Sequence, residues 1–143
     1  MSYRYIGEIA TADIAFEATG ESLEEVFIAA AEALTNVMID EPDKIERKEK
    51  VEVRLENADA EMLLFDFLGE LVYYKDARRL FLRVDEIRIT KEDSGYGLSA
   101  VLSGEAPDPE KHQLGADVKA VTLHMFALEQ TDNGWKATVV LDI

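Results

Sequence analysis

Residues 14–40 read IAFEATGESLEEVFIAAAEALTNVMID, and within them the spacing of apolar side chains changes. Ile14, Phe16 and Ala18 alternate against Ala15 and Glu17, the period-two pattern of a short half-buried strand. Ser22 then stands where a helix N-cap would, and Glu25, three residues on, completes a capping-box signature. From there Leu23, Val26, Phe27, Ala30, Leu34, Val37 and Met38 fall on one face at helical spacing. A strand that feeds almost directly into an amphipathic helix has to bury both faces together, which predicts a helix packed on a sheet. The segment DEPDK at 40–44 ends that helix, because Pro42 cannot continue it.

The same pattern recurs downstream. Val51, Val53 and Leu55 alternate with Glu52, Arg54 and Glu56 as a second strand, and Asp59 is placed to cap a second helix that runs to about residue 75. Met62, Leu63, Leu64, Phe67, Leu68, Leu71 and Val72 cover a broad arc of it, so it should be largely buried. Arg78 and Arg79 lie just past its end, where cations complement the free carbonyls. Leu80, Leu82 and Val84 alternate, then the phase moves to Ile87 and Ile89, which places a bulge near Asp85 and Glu86. The residues DSG at 93–95 form a turn, after which Tyr96, Leu98, Ala100 and Leu102 resume the alternation. Residues 104–117, with two of the three prolines, are the only long loop. Two further strands flank TDNG at 131–134, a hairpin signal. The expectation is one α+β domain over 1–143, with two helices packed on mostly antiparallel sheet and the order β-α-β-α-β-β-β-β.

Composition narrows the function more than it identifies it. The 143 residues are 48% hydrophobic and 31% charged, ordinary values for a globular chain with a real core. No apolar run approaches the roughly 18–20 residues of a membrane span. The opening MSYRYIGEIA lacks a secretory pattern, so a cytoplasmic protein is expected. Without cysteine there is no disulfide, thiolate metal site or cysteine nucleophile. Thirty acids against fifteen bases give a net charge of −15, which disfavours broad binding to nucleic acid and suits cations or a basic protein partner.

The residues that could carry chemistry are mostly acids. In the closing VVLDI, Trp135, Ala137, Val139 and Leu141 face one way, and Lys136, Thr138, Val140 and Asp142 the other. Asp142 therefore stands off the most apolar face, next to the carboxylate of Ile143. Asp13 precedes the first strand on the side opposite Ile14 and Phe16. If the two ends of the chain meet, Asp13, Asp142 and the Ile143 carboxylate form an all-oxygen cluster of the kind that Ca²⁺, Mg²⁺ or Mn²⁺ prefers. The competing reading is two unrelated surface acids. His124, among apolar neighbours, reads as a hydrogen-bonded structural imidazole. His112, in the proline-bearing loop near Glu105 and Asp108, reads as a solvated residue or a partner contact. Lys119, one of few bases among many acids, could neutralise a carboxylate or contact a phosphate. There is no G-x-S-x-G, P-loop, dinucleotide fingerprint, H-E-x-x-H or EF-hand loop, so independent catalysis has no visible motif.

Four segments together resemble the archease family: TADIAFEATGESLEEVFIAAAEALTNVMID, AEMLLFDFLGELVYY, GEAPDPEKHQLGADVKAVTLH and the closing WKATVVLDI. The similarity covers essentially the whole chain. It implies a non-enzymatic helper of the RtcB-type RNA-splicing ligase, which joins a 2′,3′-cyclic-phosphate or 3′-phosphate end to a 5′-hydroxyl using GTP and a divalent metal. The helper promotes guanylylation of the ligase and its multiple turnover, and meets tRNA and GTP through the ligase. A local basic patch around Lys75, Arg78 and Arg79 leaves direct RNA contact open, although the net charge argues against it as the main affinity. The resemblance carries a metal site onto Asp13, Asp142 and the carboxylate of Ile143, with Ca²⁺ first and Mg²⁺ or Mn²⁺ as alternatives. It assigns an active role to Lys119 and less defined ones to Asp108 and His112. A chaperone-like adaptor with a purely structural metal is the alternative. A small metal-dependent hydrolase is a third reading, weakened by the lack of a base or nucleophile. One departure stands out: where the family shows His-Thr-Ala-Asp, this chain has Ala10-Thr11-Ala12-Asp13.

Overall fold

The computed structural model describes residues 1–7 and 13–143. Strands β1 (Ser2–Ile6) and β2 (Asp13–Gly20) come first, then helix α1 (Leu23–Met38) and a 3₁₀ turn (Pro42–Lys44). Strand β3 (Glu49–Asn57) leads into helix α2 (Ala60–Arg78). Strands β4 (Phe81–Glu92), β5 (Gly95–Glu105), β6 (Ala120–Thr131) and β7 (Gly134–Asp142) complete the order. The expected architecture of two helices on antiparallel sheet is present, with one strand added ahead of it. In β1, which pairs antiparallel with β2 from Ser2↔Thr19 to Ile6↔Ala15, Tyr3 packs against the core while Tyr5, on the same face, is 41% exposed and reaches α1 through its hydroxyl. Two aromatics and a single aliphatic residue leave only a weak strand signal in the sequence.

The strands divide into a four-stranded sheet, β1-β2-β7-β6, and a three-stranded sheet, β3-β5-β4. All pairings are antiparallel. Helix α1 packs on β2, β1 and β7 of the first sheet and on β4 of the second, while α2 packs on β6 and on β3, β4 and β5. The helix pair therefore joins the two sheets, and Phe27 of α1 meets Phe67 of α2 between them with ring centroids 5.9 Å apart. Phe16, Leu34, Leu64 and Leu102 are fully buried around this contact.

The predicted local signals hold with two adjustments. Helix α2 runs to Arg78 instead of about residue 75, so Arg78 lies in its last turn and Arg79 is the C-cap. Ser22 Oγ accepts the Glu25 amide at 3.2 Å, but the reciprocal arm of the box, Glu25 Oε1, reaches the Glu21 amide at 3.5 Å instead of the cap residue's own. Asp59 caps α2 through the Glu61 amide at 3.0 Å. The register of β4 on β5 shifts between Val84 and Glu86, at the predicted bulge. Among the described residues, no helix is long and apolar enough to cross a membrane.

Candidate functional site

The first and last long strands of the four-stranded sheet lie side by side. The β2–β7 register runs from Gly20↔Trp135 to Asp13↔Asp142, so the two aspartates are direct cross-strand partners at the sheet's end. Side chains so opposed share a face, with Cβ atoms about 4.5–5.5 Å apart, and like charges in that position destabilise the sheet. Neither carboxylate takes part in an ion pair among the described residues. On the other side of Asp142, Ala120 of β6 is its register partner, and the Lys119 amide donates to the Asp142 carbonyl at 2.8 Å. Ile143 follows, half-buried with its side chain packed against the core. The structure thus brings Asp13, Asp142, Ile143 and Lys119 to one tip.

Chemically the tip is an oxygen-donor set, and it fits a hard divalent cation. Among the described residues no three His, Cys, Asp or Glu side chains converge as a metal-holding group. Side chains would therefore supply only the aspartate pair, with main-chain and solvent oxygens completing the shell. A cation there would remove the repulsion that the register imposes. An open cleft of about 460 Å³ adjoins Asp13, lined by Tyr5, Asn36, Val37, Ala116 and Ile143 among others. The Tyr5 hydroxyl lies 3.0 Å from the Ala33 carbonyl and 2.8 Å from Asn36 Oδ1. Burial, with a smaller contribution from Tyr3, pushes its phenol above the ordinary range.

Lys119 is placed by the loop that precedes it, and that loop is fastened along its length. At its start Glu105, 5% exposed, receives the Lys111 ammonium at 2.7 Å and the Glu46 amide at 2.6 Å, with Lys48 at 3.3 Å. Burial alone would raise the Glu105 carboxyl, but these donors outweigh it and hold it down at about 2. In the middle, the Gly115 and Ala116 amides donate to the Met38 and Val37 carbonyls at 2.8 and 2.9 Å, satisfying the free end of α1. At its close, Lys75 of α2 is buried and reaches Asp117 Oδ1 at 2.7 Å and the Val118 carbonyl at 2.6 Å. Burial opposes the charge on Lys75, yet the Asp117 and Asp76 carboxylates raise its pKa overall. Lys75 is therefore not part of an exposed basic patch with Arg78 and Arg79; it is an internal clamp two residues ahead of Lys119, whose side chain is exposed.

The two histidines exchange the roles that their neighbours suggest. The His112 side chain is 1% exposed: Nδ1 accepts the Asp108 amide at 2.9 Å, which puts the ring proton on Nε2, 3.2 Å from the Lys44 carbonyl and 3.3 Å from Glu105 Oε2. It is a buried pin of the loop and presents no surface to a partner. Asp108 is exposed, but its Oδ1 accepts the Glu110 amide at 3.0 Å and closes a tight turn. His124, read as structural, is exposed on β6. The Ala10 departure lies outside the described residues.

The sequence matches the model of the Archease protein family (MTH1598/TM1083) over residues 3–143. A Pyrococcus abyssi protein archease is 44% identical over 134 residues, 93% of this chain and 94% of that one. A Methanosarcina mazei protein archease is 43% identical over 144 residues, covering 99% and 95%. Among solved structures, Methanobacterium thermoautotrophicum protein 1598 matches with a TM-score of 0.84 at 35% identity, over 99% of this chain and 98% of that one. An archease from Thermotoga maritima, described as a possible chaperone, matches in fold with a TM-score of 0.65 at 24% identity, covering 94% and 93%.

Proposed function

This chain belongs to the archease family, and from that premise we propose that it is a cytoplasmic protein activator of an RtcB-type tRNA-splicing RNA ligase. In this reading it promotes guanylylation of the ligase and its multiple turnover, without catalysing a reaction alone. The observation that carries the reading is the Asp13↔Asp142 pair facing itself across β2 and β7 with no base paired to it among the described residues. A fold does not ordinarily oppose two carboxylates at a sheet end without a use for them.

Asp13 and Asp142, with the main-chain carboxylate of Ile143, would hold the divalent ion, Ca²⁺ first and Mg²⁺ or Mn²⁺ as alternatives. When bound, the ion supplies positive charge that can offset phosphate oxygens at the ligase's nucleotide pocket. The chain's own residues do the rest. Lys119, held at the tip by the hydrogen bond that its main-chain N–H donates to the Asp142 carbonyl, offers an ammonium to the same anionic group. Asp108 and the buried His112 keep the loop in the shape that presents Lys119.

The test is formation of the guanylylated ligase from labelled GTP, with and without the chain, beside Asp142→Ala, Asp13→Asn, Lys119→Ala and a version extended past Ile143. Acceleration by the wild type that folded variants fail to reproduce supports the activator. No acceleration by the wild type across several divalent ions ends the reading. The chaperone-like alternative, in which the metal only clamps β2 to β7, predicts that the aspartate variants lose stability and ligase binding together.

A further inference from the structure

Strand β6 is the edge of its sheet, and it departs from regular pairing in its middle. Thr122 pairs with Val140 and Ala127 with Thr138, so β6 spends the four residues Leu123 to Phe126 where β7 spends only Val139. Both flanks of this bulge are fixed. Thr122 Oγ1 donates to the Val140 carbonyl at 3.0 Å. Beyond the bulge, Phe126 meets Phe65 of α2 edge-on with centroids 5.4 Å apart, and the Leu128 amide donates to Glu61 Oε1 at 2.9 Å. Between the flanks Leu123 is 62% exposed and Met125 53%, and His124 is exposed between them. Met125 has φ +57°, a left-handed conformation that a side-chain-bearing residue adopts at a cost. A segment anchored at both ends, strained in the middle and presenting apolar side chains outward is a built protrusion, since a frayed edge would carry none of these fixings.

We propose that the Leu123–His124–Met125 knuckle is a docking contact for the basic partner whose active centre the acid tip serves, which on the reading above is the RNA ligase. Two observations choose the occupant. With thirty acids against fifteen bases the chain repels a second copy of itself and attracts a basic surface. The knuckle is also continuous with the tip: Ala120, the register partner of Asp142, lies two residues before Thr122, so at about 3.3 Å per residue the knuckle begins roughly 10 Å from the acid pair. A partner seated over Lys119 and Asp142 covers Leu123 and Met125 as well. Two exposed apolar anchors beside a charged tip divide the work, the anchors setting affinity and the tip setting rate.

The experiment titrates the cognate ligase with wild type, Leu123→Ser/Met125→Ser and Met125→Gly, measuring Kd by calorimetry, guanylylation at saturating activator, Tm and solution mass. The double variant is expected to keep its Tm, bind at least tenfold more weakly, and still reach the wild-type rate at saturation. Met125→Gly relieves the left-handed strain, so its Tm should not fall while its Kd still weakens. A Kd unchanged in both variants overturns the knuckle as a docking contact while leaving the activator reading intact. A dimeric wild type that the double variant makes monomeric overturns it in favour of self-association. If the wild type neither binds nor stimulates the ligase, the activator reading falls first and this assignment with it.

Discussion

Single side chains decide two questions of sign. Glu105 has its carboxyl held at about 2 against an ordinary 4.5, because Lys111, the Glu46 amide and Lys48 outweigh the effect of burial. A depressed carboxyl contributes stability that is complete above 4.5 and lost as pH falls toward 2. That contribution is on the order of 3 kcal/mol, so wild type should lose most of it in equilibrium denaturation between pH 4.5 and 2. Glu105→Gln should be less stable at pH 7 and nearly flat across the same window. Asp13 predicts the opposite direction. Asp13→Asn removes one of two opposed like charges, so the metal-free protein should gain a few tenths to about 1 kcal/mol. On the proposed metal site, Ca²⁺ should raise the Tm of the wild type, and the same variant should lose that rise. The acids at this site were legible because alternation fixes which face each residue takes. The histidines were not, because what buries His112 is the Lys44 carbonyl and Glu105, brought to it by tertiary contacts that no local pattern records.

Between neighbouring elements, the loop after β5 is the cap of α1. The Val37 and Met38 carbonyls have no partners in their own helix and are satisfied by Ala116 and Gly115. A Cβ on Gly115 would drive into the Val37 carbonyl. Gly115→Ala should therefore cost about 1–3 kcal/mol in thermal or denaturant melts by forcing the loop off the helix end, and should lower stimulation of the ligase by displacing Lys119. The sequence announced both helices and most strands through caps and periods, including the bulge in β4, where the apolar phase visibly moves from Val84 to Ile87. The larger bulge in β6 carries the same signal. Val121 and Leu128 both face the core on opposite parities. It was masked because Leu123 and Met125 are apolar, so the run looks like an uninterrupted strand. Apolar residues placed outward defeat a reading that assumes apolar means inward.

At the level of the whole molecule, the net charge of −15 predicts how association responds to salt. The association rate with the ligase should fall as ionic strength rises from about 0.05 to 0.5 M, while dissociation changes little, because screening weakens long-range attraction more than a formed contact. Stopped-flow measurement across that range checks it; a salt-independent association rate would contradict electrostatic docking. The pairing of β2 with β7 could not be read from the chain directly, since strand order is a property of the folded sheet. That order also bears on when the molecule becomes competent. On a ribosome β7 emerges after β1, β2 and β6, yet its place is in the interior of their sheet, between β2 and β6. Until it inserts, the β1–β2 hairpin and β6 have no common sheet, Asp13 has no opposite number and Lys119 no carbonyl to hold it. A nascent or truncated chain lacking β7 cannot build its tip, so the contact that would engage a partner waits for that strand to join the sheet.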